Sequence, residues 1–302
     1  MSKQSFIPGD ADSGRLYSVH IASGEFHGQY SLPTQYSGLD TPLGLTFGML
    51  ILQLVRKERT PTMPSTQIVF FDLTSKDPRG TWTPNPWKTR LVLNFKGLDY
   101  RTEWVEYPDI KPTLEGYVSP DADGTYTIPT IALPDGKYIM DSRKIAEHLE
   151  DFHPQPSLRL DSPYLWKAED LWKRFITTIR PVFIAQIPKR LLNDASIDYW
   201  CTTREKIFNM PVDQAEKELG GEQGWNEATA VIQEATTLLS EIEGPFFEGE
   251  VAGYADFVWA SVLLFCVRMG PDFLDEALKR SGNPQVHLDL LEAVKPWLNI
   301  TE

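Results

Sequence analysis

The chain has 302 residues, 41% hydrophobic and 24% charged, the balance of a globular protein with one or two cores rather than of a disordered chain. Its 42 acidic side chains outnumber the 29 basic ones, leaving a net charge of −13, and no Lys/Arg run is long enough to track phosphates, which argues against nucleic acid as a partner. Cys201, Cys266 and five scattered histidines suggest neither a disulfide framework nor a four-ligand metal set, so a reducing, cytoplasmic setting without a bound metal is expected.

Residues 1–62 are rich in Gly, Ser, Tyr and Thr and lack periodicity apart from an apolar run from Leu43 to Val55. That run is shorter than the roughly 20 apolar residues of a spanning helix and holds Gly44, Thr46, Gly48 and Gln53, so no stable membrane span is expected. The stretch reads as a disordered extension or an upstream start, with Met63 as the alternative beginning.

Gln67–Asp72 is a β-rich apolar run fit for a buried strand, followed by turn residues from Ser75 to Gly80. Thr83 suits a helix N-cap, Pro84 a first turn and Gly97 a stop, which predicts a helix over Pro84–Lys96. Tyr100–Tyr107 alternates as a second strand, while Ile128–Leu133 and Lys137–Met140 bracket the Pro134-Asp135-Gly136 turn as a hairpin. Asp141-Ser142 opens a helix over Arg143–Asp151. The order βαβ, irregular connection, ββ, α describes a small sheet covered by helices.

His153–Ser162, with Pro154 and Pro156, is the expected linker, and from Pro163 the pattern turns helical, capped by Ser162. Further amphipathic stretches run over 195–208, 225–242 and 286–298, and Asp256–Val267, apolar on nearly every face, reads as a central helix wrapped by the others. The expected domains are 63–153 and 163–302, joined by 154–162.

The sequence of a Thr83-Pro84-Asn85 helix start, an Ile128-Pro129 strand, an Asp141-Ser142 helix start and a helical second half resembles the glutathione transferase superfamily. Trp82–Leu98 with Tyr100–Ile110 is similar to the fungal etherase-related transferases, and Tyr199–Met210 to the helical domain of fungal ustiloxin-cluster transferases. The resemblance implies a thioredoxin-like N-terminal domain, a C-terminal helical bundle and a homodimer. It also implies glutathione as a co-substrate rather than a resident cofactor, and a hydrophobic electrophilic or ether-type small molecule as second substrate, in detoxification or secondary metabolism. A catalytically idle binding or regulatory relative is the alternative, and thiol–disulfide exchange would need a cysteine at position 83.

Thr83 occupies the position where the resemblance implies the thiol-activating residue. A free thiol titrates near ~8.5, so its anion needs donors, and the Thr83 hydroxyl, the Asn85 amide and the N–H groups of Asn85 and Trp87 offer them. Read alone, Thr83 is a helix cap. The resemblance makes the Ile128-Pro129 bond cis, with the Ile128 backbone pairing with the cysteinyl unit; a proline opening an edge strand is the competing reading. It puts the γ-glutamyl carboxylate on Ser142 and the helix amides, the amino group on Asp141, and the glycyl carboxylate on Lys111, which is otherwise a solvated lysine. Gly253 stands where the superfamily has the Ser/Thr of a capping box with Asp256. Trp166, Trp172, Phe175 and Phe183 line either an apolar co-substrate pocket or the core.

Overall fold

The computed structural model describes residues 19–21, 24–26 and 67–299. Val19–Ile21 (β1) and Gly24–Phe26 (β2) pair antiparallel. Apart from β1 and β2, the N-terminal extension, including the apolar run from Leu43 to Val55, lies outside the described residues.

A four-stranded mixed sheet follows, in the spatial order Tyr100–Val105, Ile68–Leu73, Thr130–Ala132, Tyr138–Met140. Ile68–Leu73 (β3) is buried along its whole length, as a central strand covered on both faces must be. It runs parallel to Tyr100–Val105 (β4), with Ile68 opposite Tyr100, and antiparallel to Thr130–Ala132 (β5), with Phe71 opposite Thr130. Tyr138–Met140 (β6) closes the hairpin on β5. Pro84–Phe95 (α1) crosses between the parallel strands, short helix Ile110–Leu114 (α2) follows β4, and Ser142–Phe152 (α3) follows β6.

Among the described residues from 163 onward the regular elements are all helical, with only an isolated bridge between Phe246 and Gly249. Leu165–Phe183 (α4), Gln186–Arg190 (α5), Asp194–Phe208 (α6), Val212–Leu219 (α7) and Gly221–Leu239 (α8) precede Tyr254–Met269 (α9), the expected central helix. Nearly every α9 side chain is buried, and Phe257 meets Phe95 of α1 edge to face at 5.3 Å. Pro271–Arg280 (α10) and Pro284–Ala293 (α11) end the fold, before a 3₁₀ turn at Lys295–Trp297. No helix among the described residues is long and apolar enough to cross a membrane.

Ser162 is not the cap of α4, which begins three residues later at Leu165. Its hydroxyl is bonded to the Glu248 carboxylate and accepts the Tyr164 N–H at 3.2 Å, so it ties the linker to the helical half instead. Helices α5, α7 and α10 were not expected from the sequence.

At the head of α9, Asp256 accepts the N–H groups of Gly253 at 2.7 Å and Phe247 at 2.8 Å, so the carboxylate half of the capping box is present. The hydroxyl half of the box is missing, and a side chain there would sit in tight quarters. A Cβ at Gly253 would stand 3.2 Å from the Leu158 carbonyl oxygen and 3.3 Å from the Arg159 Cβ.

Deep between α8, α9 and α11, His287 accepts the Trp259 indole N–H at 3.2 Å and bonds Thr236 at 2.8 Å. Burial pulls its pKa from the ordinary 6.5 to about 4. Between those pH values the unfolded chain binds the proton and the native one does not, so native stability falls as pH drops through that window. The loss amounts to about 3 kcal/mol and is absent above pH 6.5. Burial also pushes Asp256 up to about 6, which works in the opposite direction over pH 4 to 6. The His287 contribution is therefore read as a difference: urea midpoints between pH 4 and 7 should slope less steeply upward in His287→Asn than in the parent.

Candidate functional site

Because β3 and β4 are parallel, their C-terminal ends lie at one edge of the sheet, and the antiparallel β5 begins at that same edge. The loop leading to α1, the start of α2, the segment before β5 and the start of α3 are thereby gathered there. This edge collects Thr83 and Asn85, Lys111, Ile128 and Pro129, and Asp141 and Ser142. The Ile128–Pro129 bond is cis. The Asp141 N–H donates to the Pro129 carbonyl at 3.2 Å, joining the α3 start to the turn before β5.

Thr83 stands at the N-cap position of α1 with an extended backbone, yet its side chain caps nothing. The hydroxyl is buried and has no hydrogen-bond partner. A buried hydroxyl without a partner is a costly exception in a folded protein, and the cap reading does not account for it. The backbone supplies fewer donors than the sequence suggested. Pro84 and Pro86 have no N–H, and the Trp87 N–H is taken by the Thr83 carbonyl at 3.3 Å as the first ordinary helical bond, which removes it from the expected set. The Asn85 N–H and side-chain amide remain. One turn beyond Thr83, the Trp87 indole N–H is also buried and unbonded, a donor the sequence reading missed although the i, i+4 spacing places it on the same face.

The loop that presents Thr83 is fixed by a fully buried ion pair. Arg90, on the sheet side of α1, bonds the Asp72 carboxylate at 2.9 Å, with neither side chain exposed. The Thr81 hydroxyl, two residues before Thr83, donates to Asp72 at 2.5 Å and accepts from Arg90 Nε at 2.6 Å. Arg90 also reaches the Tyr100 phenol at 3.1 Å and the Thr102 hydroxyl at 3.2 Å on β4. Burial pushes the Asp72 carboxyl up, against the pull of the Arg90 charge and of the bonds it accepts. Neither residue carried a sequence signal, because an arginine in an amphipathic helix reads as solvated.

At α3, Asp141 has φ 91°, a region a non-glycine residue occupies only under strain. Its carboxylate accepts the N–H groups of Arg143 at 2.9 Å and Lys144 at 3.1 Å. Those two amides are therefore filled from within the protein, a correction to their expected role toward a ligand carboxylate; the Ser142 N–H and hydroxyl remain. Ser142 is buried and shares a hydrogen bond with the phenol of Tyr254, the first residue of α9, whose pKa burial holds far above its ordinary value. Lys88 of α1 also faces this end, its ammonium 3.8 Å from the Trp172 ring centre. Burial pulls the Lys88 pKa down to about 8, opposed by the charges of Asp141 and Glu169. Lys111 is 70% exposed and stands 4.0 Å from Glu115, the geometry of a solvated side chain.

Trp166 and Phe175 do not share a pocket. Nine residues at about 100° each put them on opposite faces of α4. Phe175 is core, edge-on to Trp259 at 6.0 Å, whereas Trp166 is 66% exposed. Phe183 is core as well, against Phe265 at 5.1 Å, and Trp172 lies under Lys88.

Residues 82–151 match the family model for the glutathione S-transferase N-terminal domain, and 168–276 that for its C-terminal domain. The chain is 31% identical over 251 residues to the glutathione S-transferase-like protein ustS of Aspergillus flavus, a match spanning 76% of this chain and 90% of that one. Among solved structures, the glutathione transferase GSTFuA3 of Phanerochaete chrysosporium superposes with a TM-score of 0.68 at 28% identity, covering 78% of this chain and 99% of that one. CsGST63524 of Ceriporiopsis subvermispora, solved in complex with glutathione, gives 0.68 at 25% identity with the same coverage.

Proposed function

The chain belongs to the glutathione S-transferase family, and from that premise we propose that it is a transferase joining the glutathione thiolate to an electrophilic carbon of a hydrophobic small molecule. The observation that carries this reading is the buried, unpartnered hydroxyl of Thr83 at the mouth of α1. A thiolate sulfur at that point accepts its hydrogen bond and gains from the positive end of the helix. The thiol proton leaves to solvent, the sulfur lone pair forms the C–S bond, and the bond from carbon to the leaving group breaks with its electron pair.

In the same reading glutathione is a co-substrate laid along the sheet edge, with its cysteinyl backbone beside Ile128 and Pro129. Its γ-glutamyl carboxylate is taken by Ser142. Burial keeps the Tyr254 phenol beside Ser142 protonated. Lys111, exposed and weakly paired, is free to swing to the glycyl carboxylate. The reading includes a cytoplasmic homodimer, carried over from the family.

Calorimetric titration with glutathione, together with thioether formation on benzyl chloride, tests the proposal. Ser142→Ala should weaken glutathione binding by about tenfold, the value of a hydrogen bond to a charged group. Binding without thioether formation on any electrophile assigns the protein to the idle relatives, and absence of both removes the reading.

A further inference from the structure

The arginines from the linker onward differ in their partners, and Arg268 of α9 bonds the Ser75 hydroxyl at 3.0 Å and the Pro78 carbonyl at 3.2 Å. Arg159, Arg174, Arg190 and Arg280 each bond a carboxylate. Arg180, in the last turn of α4, has no hydrogen-bond or ion-pair partner among the described residues, although it is half-buried. Arg204 of α6 bonds only neutral groups, the Thr203 hydroxyl at 2.7 Å and the Tyr107 phenol. The two cations feel each other: burial, and then the charge of Arg204, pull the Arg180 pKa down. Two half-desolvated like charges without a counter-ion are unfavourable, and the arrangement is unexpected in a chain of net charge −13, where carboxylates are plentiful.

The surroundings are aromatic and lead to Thr83. The Arg204 guanidinium lies over Trp200 at 4.0 Å and over Tyr107 at 5.1 Å. Tyr107 is stacked on Tyr199, with ring centres 5.9 Å apart and planes at 17°, and Tyr199 is 40% exposed, so the cluster opens to solvent. Trp82, the residue immediately before Thr83, packs its ring 6.2 Å from Trp200 and 6.3 Å from Tyr107. Ring contacts thus connect Trp82, the chain neighbour of Thr83, to Arg204, a cation that no carboxylate pairs.

We infer that Arg180 and Arg204 hold the acid group of the second substrate, which is an aromatic carboxylic acid lying against Tyr199 and Tyr107 with its reactive carbon toward Thr83. A carboxylate supplies the acceptors that both guanidiniums lack, and a flat ring fits the stacked face. The assignment rests on the transferase reading, and binding separates the two. In calorimetric titrations of the full chain, 1-naphthoate should bind at least about tenfold tighter than neutral 1-naphthamide, with a preference that weakens as salt rises. Arg204→Gln and Arg180→Gln should each bring naphthoate to the affinity of naphthamide. Arg180 has no partner to lose, so its variant answers the question even if Arg204→Gln does not fold. Equal affinities in the parent, or a naphthoate preference that survives Arg180→Gln, overturn the inference, and the transferase reading then stands if the parent conjugates benzyl chloride. A naphthoate preference removed by the substitutions, in a protein that conjugates nothing, keeps the carboxylate site and removes the transferase.

Discussion

Thr83→Val should lower kcat/KM for glutathione and benzyl chloride roughly ten- to a hundredfold while leaving the thermal midpoint unchanged or slightly raised. The activity loss corresponds to one hydrogen bond to a charged group, about 1.5–3 kcal/mol. The unchanged stability follows from the structure, because the hydroxyl is buried without a partner in the protein, and removing it leaves no orphaned group behind. A residue serving as a helix cap would behave in the opposite way, losing about 1 kcal/mol of stability. Thr83→Ser should retain activity. If valine is as active as the parent while Asn85→Ala is not, the donor is the Asn85 amide; if neither change matters and glutathione still binds, the protein is an idle relative.

The largest stability effect is expected at Arg90. Arg90→Met strips the cation from a fully buried carboxylate and leaves Thr81, Tyr100 and Thr102 short of a partner, for a loss of about 3–5 kcal/mol. In a fold of this size that lowers the thermal midpoint by roughly 10 °C. Asp72 without Arg90 is an acid in an apolar core, and burial already pushes its carboxyl up. The penalty should therefore shrink as pH falls and the carboxyl protonates, and denaturation of the variant at pH 8 and pH 5 measures it. Asp72→Leu combined with Arg90→Met should recover most of the loss, since neither charge is then stranded. A variant as stable as the parent at pH 8 would show that the pair does not hold the Thr83 loop.

Both expectations concern groups whose state the sequence could not disclose, and they mark where its information stops. The elements themselves were readable because they depend on neighbours in the chain. The buried run of β3, the alternation of β4, the Pro84 start of α1 and the all-round apolarity of α9 are local patterns, and each became the expected element within one to three residues. The positions of Thr83, Pro129 and Ser142 at element starts were local for the same reason. The family followed from their order.

What only the tertiary structure decided is which polar groups find partners. Whether the Thr83 hydroxyl finds a partner and whether Arg90 is solvated or locked to Asp72 depend on residues brought together from different elements. Side-chain direction was equally hidden in the aromatic stripe, where Trp166 and Phe175 fall on opposite faces of α4 and only packing against α9 distinguishes core from surface. Arg180 and Arg204 lie in different helices with nothing in their spacing to relate them. Periodicity in one dimension fixes which face of an element is apolar, whereas hydrogen-bond satisfaction and charge pairing are settled by three-dimensional neighbours, and the chemistry of this site depends on the latter.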